Sequence, residues 1–443
     1  AARLAESLRQ RGVQRGDRVA IFADNGVEVV VGIFGALKAG AVFMPVNSLT
    51  KADKLAYLLN DSRAAALVTT QLLRGIWEPA ITHASSVKAC IVAGLPAGDG
   101  SALMSYEAAI AGATRSPQHA PAIDQDLASI IYTSGSTGEP KGVMLTHLNM
   151  VSAARSVNGY LGMTGDDVIM CALPLAFDYG LYQILMGFMV GSTIVLERSF
   201  SFPVKVLETM AHEEVTVFPG VPTMFSMIMG LNNLSQFDLR RLRMITNTAA
   251  ALSERHIQEL RALFPQATLF SMYGLTECKR VTYLPPDQLD LRPTSVGRGM
   301  PNEEVWLVDE QDKRLPNGST GELVIRGSNV MRGYWEKPEN TARRLKPGPH
   351  PGEMVHYSGD VFRTDEEGFL YFVARKDDII KSRGEKVSPK EVENVLYALD
   401  GVQDAAVVGV ADDILGQAIK AFVVLRPGCE HREKDVMRHC QER

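Results

Sequence analysis

Short runs rich in β-branched and apolar residues alternate with longer amphipathic stretches through the first two-thirds of the chain. This rhythm restricts the fold more than any other feature. Residues 19–23, 41–46, 65–69, 90–94, 129–134, 168–175, 193–196, 215–220 and 268–274 read as strands, and 28–38 and 254–263 as helices between them. Alternation of this kind predicts an α/β fold, with layered sheets whose faces are covered by helices. From 296 to 373 the pattern changes to Pro/Gly turns and short strands (304–309, 322–326, 369–373), which predicts an antiparallel, β-rich subdomain over 290–374. Charge density rises after Arg375, then a helix (389–399) and two strands (405–410, 421–425) follow. A large unit over 1–374, a hinge at 375–378 and a small, incomplete α+β unit over 379–443 are therefore expected.

The most specific chemistry lies at residues 132–142, Tyr132-Thr133-Ser134-Gly135-Ser136-Thr137-Gly138-Glu139-Pro140-Lys141-Gly142. An apolar run, Ala128 to Ile131, precedes it, so the segment reads as a loop leaving a buried strand. Its glycines let the backbone approach a ligand closely, its hydroxyls donate hydrogen bonds, and Lys141 supplies positive charge. Together these groups suit the oxygens of a polyphosphate. The segment is not a P-loop, because Pro140 stands where Gly-Lys-Ser/Thr would be needed, and it lacks the dinucleotide spacing of glycines.

Composition excludes several classes. A net charge of −5 gives no basic field for nucleic acid. The five cysteines form neither a Cys-x-x-Cys pair nor an obvious disulfide framework, and no His-Glu-x-x-His zinc motif occurs. A reducing cytoplasm is expected. The most apolar stretch, 180–195, is interrupted by Gln183 and Ser192, so no transmembrane segment or signal peptide is read. The chain opens at Ala1 inside a helical pattern, which suggests a fragment.

Three further strings follow in order: Tyr273-Gly274-Leu275-Thr276-Glu277, Tyr357-Ser358-Gly359-Asp360, and Arg375 through Lys386. With residues 132–142 they resemble the adenylate-forming superfamily of acyl-CoA synthetases, acyl-AMP ligases, peptide-synthetase adenylation domains and luciferases. The resemblance covers nearly the whole chain. It implies a ligase that joins a carboxylic acid to AMP, releases pyrophosphate from ATP, and passes the acyl group to CoA or a carrier protein's phosphopantetheine.

By that resemblance Thr133, Ser134, Gly135, Ser136, Thr137, Gly138 and Lys141 would hold the phosphates. Thr276 would meet the α-phosphate, Glu277 would hold Mg2+, and Tyr273 and Gly274 would flank adenine. Asp360 would bind the ribose hydroxyls, with Arg375 beside it, and Asp377 would be the hinge. Lys381 and Gly384 would belong to the thioester-forming face, while Arg383 and Lys386 attract an acceptor's anionic groups or belong to a solvated basic loop.

The acid pocket would involve Phe177, Asp178, Val221, Asn247, Ala249 and Met272, with Met224 as further apolar lining. In peptide-synthetase relatives an aspartate matching Asp178 holds the substrate's amino group, so an amino-acid substrate loaded onto a carrier protein stays open beside simple or fatty acids. A non-catalytic adenylate-binding relative is a further alternative, opposed by intact Gly135, Glu277, Asp360 and Arg375. His147 is read only as a helix cap. The family's C-terminal lysine motif has no match before Arg443, since Lys420 and Lys434 fit it poorly, which predicts a shortened chain or slow adenylation beside intact thioester formation.

Overall fold

The computed structural model describes residues 1–95, 103–111, 122–134, 140–248, 252–382, 385–412 and 416–441. Strands Leu103–Ser105, Ala89–Ala93, Ala64–Thr70, Arg18–Phe22, Val42–Val46 and Leu127–Ser134 lie side by side and parallel. Strand Pro140–Thr146 then turns back antiparallel, and Gly333–Tyr334 closes the edge of this eight-stranded sheet. Every residue of Val42–Val46 and of Ala89–Ala93 is buried, as parallel strands covered on both faces require.

A second, seven-stranded sheet runs Thr193–Leu196, Val168–Cys171, Val217–Gly220, Met244–Asn247, Thr268–Tyr273, Thr282–Tyr283 and Arg298–Gly299, with its first five strands parallel. Helix His147–Leu161 of the first sheet packs on helix Asp178–Val190 of the second, and the apolar core is continuous between them. The apolar stretch 180–195 is thus a helix held between layers, followed by a strand. Strand 168–175 stops early, at Cys171. There the side-chain amide of Asn25 donates to the Leu173 and Glu197 carbonyls, and its oxygen accepts from Leu175 N. These bonds fix a turn into the helix.

The cap of helix His147–Leu161 is Thr146 rather than His147: the Thr146 hydroxyl accepts from Asn149 N at 3.2 Å, and Asn149 Oδ1 accepts from Thr146 N. The β-rich region forms an antiparallel sheet of Glu303–Val308, Thr320–Gly327, Met354–Thr364 and Leu345–Pro347, with Leu370–Arg375 also on Met354–Thr364. Helix Pro338–Arg344 interrupts it. Beyond Arg375, strands Ile380–Ser382, Glu385–Val387, Val402–Asp412 and Gly416–Leu425 make a four-stranded sheet. With helix Pro389–Tyr397 this sheet builds its own apolar cluster around Ile380, Leu396, Val402 and Val407.

Candidate active site

The carboxyl ends of parallel strands are where open α/β sheets receive ligands. Strands Val217–Gly220, Met244–Asn247 and Thr268–Tyr273 end level with one another, with Gly220 paired to Asn247 and Asn247 to Ser271. The chain leaves Tyr273 through Gly274, where an added Cβ would fall 2.0 Å from the Lys279 carbonyl oxygen. Only glycine allows this tight loop to Arg280.

Tyr273 donates its phenol to Asp360 Oδ2 at 2.6 Å, and its ring stands edge-on to Phe362 at 4.9 Å. Asp360 comes from the β-rich sheet, where it pairs across strands with Arg375, whose Nε lies 3.9 Å from Oδ1. Burial pushes the Asp360 carboxyl above its usual range; the phenol and Arg375 oppose that shift. Beside it, Gly359 has φ +76°, and a Cβ there would collide with the Arg344 guanidinium.

Glu277 is held in the same manner. Tyr334 donates to Glu277 Oε1 at 2.7 Å, and the Tyr334 ring faces Lys141 Nζ at 5.8 Å. Lys141 lies on strand Pro140–Thr146, opposite Thr133 in a hairpin, and not on a free loop. Nearby, His356 is buried with neither ring nitrogen hydrogen-bonded; burial lowers its pKa to about 4, against the pull of Glu277. A single carboxylate suits Mg2+, which keeps most of its waters and takes phosphate oxygens as its other ligands. The described residues hold no cluster of three metal-binding side chains, so Glu277 fits that partial role only.

Asp178 begins helix Asp178–Val190, and its Oδ1 lies 2.7 Å from Lys279 Nζ. The same ammonium donates to the Thr276 carbonyl at 2.7 Å. Burial pulls the Lys279 ammonium below its ordinary range and Asp178 pushes it back. The carboxylate expected to meet a substrate's amino group is therefore already paired with an ammonium of the chain. The alternation of apolar and polar residues carried no sign of this contact.

The remaining expected residues scatter. Asn247 is fully buried at its strand end, Met272 sits in the core with its sulfur accepting from the Tyr160 phenol at 2.8 Å, and Val221 starts helix Pro222–Met229. Phe177 is 53% exposed, outside the buried cluster. Asp377 lies in the exposed turn between Arg375 and Ile380. Lys381 belongs to strand Ile380–Ser382. Gly135, Ser136, Thr137, Gly138, Ala249, Arg383 and Gly384 lie outside the described residues, as do the side chains of Ser134, Lys381 and Lys386. Tyr334, Arg344, Lys279 and Arg280 went unread in the sequence. The charged pair Lys279-Arg280, directly after Thr276-Glu277-Cys278 and before the strand Thr282–Tyr283, was a signal for the last two.

The model of the AMP-binding enzyme family matches residues 1–335, and that of the AMP-binding enzyme C-terminal domain matches 391–443. Feruloyl-CoA synthase of Amycolatopsis sp is 34% identical over 96% of the chain and 82% of its own length. A long-chain-fatty-acid–CoA ligase of Escherichia coli is 32% identical over 93% of the chain and 77% of its own length. Tyrocidine synthase 2 of Brevibacillus parabrevis is 32% identical over 98% of the chain, which spans 12% of that protein; for tyrocidine synthase 3 the span is 6%. ATP-bound MatB from Rhodopseudomonas palustris superposes with a TM-score of 0.88 at 30% identity, over all of this chain and 85% of that one. No helix among the described residues is long and apolar enough to cross a membrane. The motifs, the layered sheets that carry them and these matches agree: the chain belongs to the AMP-binding enzyme family, in the adenylate-forming superfamily.

Proposed function

We propose that the chain is an AMP-forming acid–thiol ligase acting on a carboxylic acid that carries no amino group at the Asp178 position. The observation that carries this reading is the convergence of Glu277 and Asp360, from different sheets, each oriented by a tyrosine phenol, with Lys141 over one of those tyrosines. A carboxylate oxygen of the acid attacks the α-phosphorus of ATP, the bond to the β-phosphate oxygen breaks, and pyrophosphate leaves. A thiol sulfur then attacks the acyl carbon, its proton passes to solvent, and AMP departs.

Lys141 and the segment around it offset phosphate charge, and Asp360 accepts from the ribose hydroxyls. Thr276 faces the α-phosphate, and Tyr334 fixes the direction of the Glu277 carboxylate. Mg2+, when bound at Glu277, neutralises charge developing on the phosphates. Asp377 would serve as the pivot, and Lys381 and Gly384 as part of the thioester-forming face.

CoA is favoured as the acceptor over a carrier protein, because the two relatives above that the chain covers over more than three-quarters of their own length are a CoA synthase and a CoA ligase. The Asp178–Lys279 pair weighs against an amino-acid substrate, whose ammonium would have to displace Lys279 from a buried site. Free Cys90, Cys171, Cys278, Cys429 and Cys440 suit a reducing cytoplasm. The test is ATP–pyrophosphate exchange across carboxylic and amino acids, followed by thioester formation with CoA. Exchange with carboxylic acids that falls in Glu277→Gln is expected; exchange with amino acids alone, or none with any acid, would overturn the reading.

A further inference from the structure

Arg280 is 3% exposed, and its guanidinium has no carboxylate within ion-pair distance among the described residues. Its Nε is buried without a hydrogen-bond partner, and Nη1 reaches only the Lys279 carbonyl, at 3.5 Å. The guanidinium lies 4.6 Å from the centre of the Tyr179 ring. A cation over an aromatic face is partly compensated, yet that contact gives the Nε–H no acceptor. Buried charges are ordinarily paired, because an unpaired one costs several kcal/mol.

The neighbours sharpen the point. Lys279, next in the chain, has consumed Asp178 at 2.7 Å. The Tyr179 phenol donates to the Thr246 carbonyl at 2.6 Å, and the Thr248 hydroxyl two residues on is buried with no partner. Of these two buried cations only Lys279 is paired with a carboxylate. Glu303, whose Oε2 is buried without a partner, accepts from the same Asn329 amide that bonds the Arg280 carbonyl but makes no ion pair with the guanidinium among the described residues. The Lys279 ammonium also bonds the carbonyl of Thr276, where the reacting carboxylate would meet the α-phosphate.

Resting on the ligase reading above, we infer that Arg280 recognises a second anionic group, so that the acid activated here is a dicarboxylic acid with one carboxylate held at Arg280 and the other presented to ATP. A dicarboxylate restores charge balance and meets the fork of guanidinium donors in a bidentate geometry. The inference separates this chain from enzymes that take apolar acyl chains, for which a buried guanidinium in the acid pocket would be a penalty.

The test uses malonic, succinic, glutaric and adipic acids, each beside its monomethyl ester, which keeps the length and removes one charge. Two readouts run in parallel on the whole protein: pyrophosphate exchange, and the rise in Tm produced by each acid. At least one dicarboxylate is expected to exceed its half-ester by roughly ten- to a hundredfold in kcat/KM, the worth of a charged hydrogen-bonding contact, and to raise Tm where the half-ester does not. In Arg280→Met both advantages should vanish while the KM for ATP is unchanged; Arg280→Lys should keep part of them.

If half-esters match their parent diacids in both readouts, or the preference survives in Arg280→Met, the inference is overturned and the ligase reading stands. If Arg280-dependent stabilisation by a dicarboxylate occurs with no exchange for any acid, the ligase reading falls and the binding site remains. The comparison within the unaltered protein decides the matter even if Arg280→Met does not fold.

Discussion

The carboxylates proposed for the nucleotide end and for the acid end are held by opposite kinds of partner. Glu277 and Asp360 are each bonded by a neutral tyrosine phenol, from Tyr334 and Tyr273. Asp178 is bonded by the ammonium of Lys279. A phenol orients a carboxylate without neutralising it, so its charge stays available to a metal ion or to hydroxyl donors; an ammonium spends that charge inside the protein. The contrast tells which acidic residues can serve a ligand, and it leaves Arg280 as a buried cation without a carboxylate among the described residues.

Breaking the Asp178–Lys279 pair is the severest challenge to this contrast. Asp178→Ala leaves the Lys279 ammonium, which is fully buried, without its counter-charge and should destabilise the protein by about 3–5 kcal/mol in urea unfolding. Removing both charges, as Asp178→Ala with Lys279→Met, should recover much of that loss. Unchanged stability in Asp178→Ala would show that the pair is not structural and would reopen the amino-acid reading.

At the other end the same kind of change should harm catalysis and spare the fold. Glu277→Gln keeps the bond from Tyr334 and removes the charge, so pyrophosphate exchange should fall roughly 100- to 1,000-fold with little shift in Tm. A large loss of stability with normal turnover would reverse the assignment of the two ends.

Acid titration sharpens the comparison through His356. Its folded pKa of about 4 lies below the free value of 6.5 because burial disfavours the charged ring. Between those values the unfolded chain binds the proton and the folded one does not. Its contribution is therefore complete above the free value and lost as the pH falls toward the folded one, by roughly 3 kcal/mol in all. Denaturant titrations across this window should show the slope, and His356→Leu should flatten it.

The smallest expected effect is at the phenols. Tyr273→Phe and Tyr334→Phe each remove one hydrogen bond to a carboxylate, and each should weaken ATP use by about 1–2 kcal/mol. Saturation kinetics in ATP would detect it; a loss as large as that of Glu277→Gln would mean that a phenol does more than orient.

Much of the architecture was legible because it rests on local pattern. Strand 193–196 and helix 254–263 stand where the pattern put them, and 42–46 and 64–70 fall within a residue or so, since buried parallel strands must be continuously apolar. Strand 168–175 ended early for a reason no local pattern carries, namely Asn25, far away in the chain, bonding the turn. His147 yielded the cap to Thr146, whose hydroxyl accepts from the amide N–H of the third helical residue.

The candidate site divides in the same way. The roles proposed for Lys141, Thr276, Glu277, Asp360 and Arg375 rest on contiguous strings, because a phosphate-binding or ribose-binding turn would need its residues at fixed neighbouring positions. What each carboxylate touches was not. Tyr334 is 57 residues from Glu277, Tyr273 is 87 from Asp360, and Lys279 is 101 from Asp178. The sequence by itself determined the layered α/β class, and the motif strings that mark the family, through short-range periodicity and adjacency. Only the tertiary structure decided that two carboxylates are bonded by tyrosine phenols, that a third is paired with an ammonium, and that Arg280 is left without a carboxylate among the described residues, because charge pairing depends on distances in space that a linear spacing does not encode.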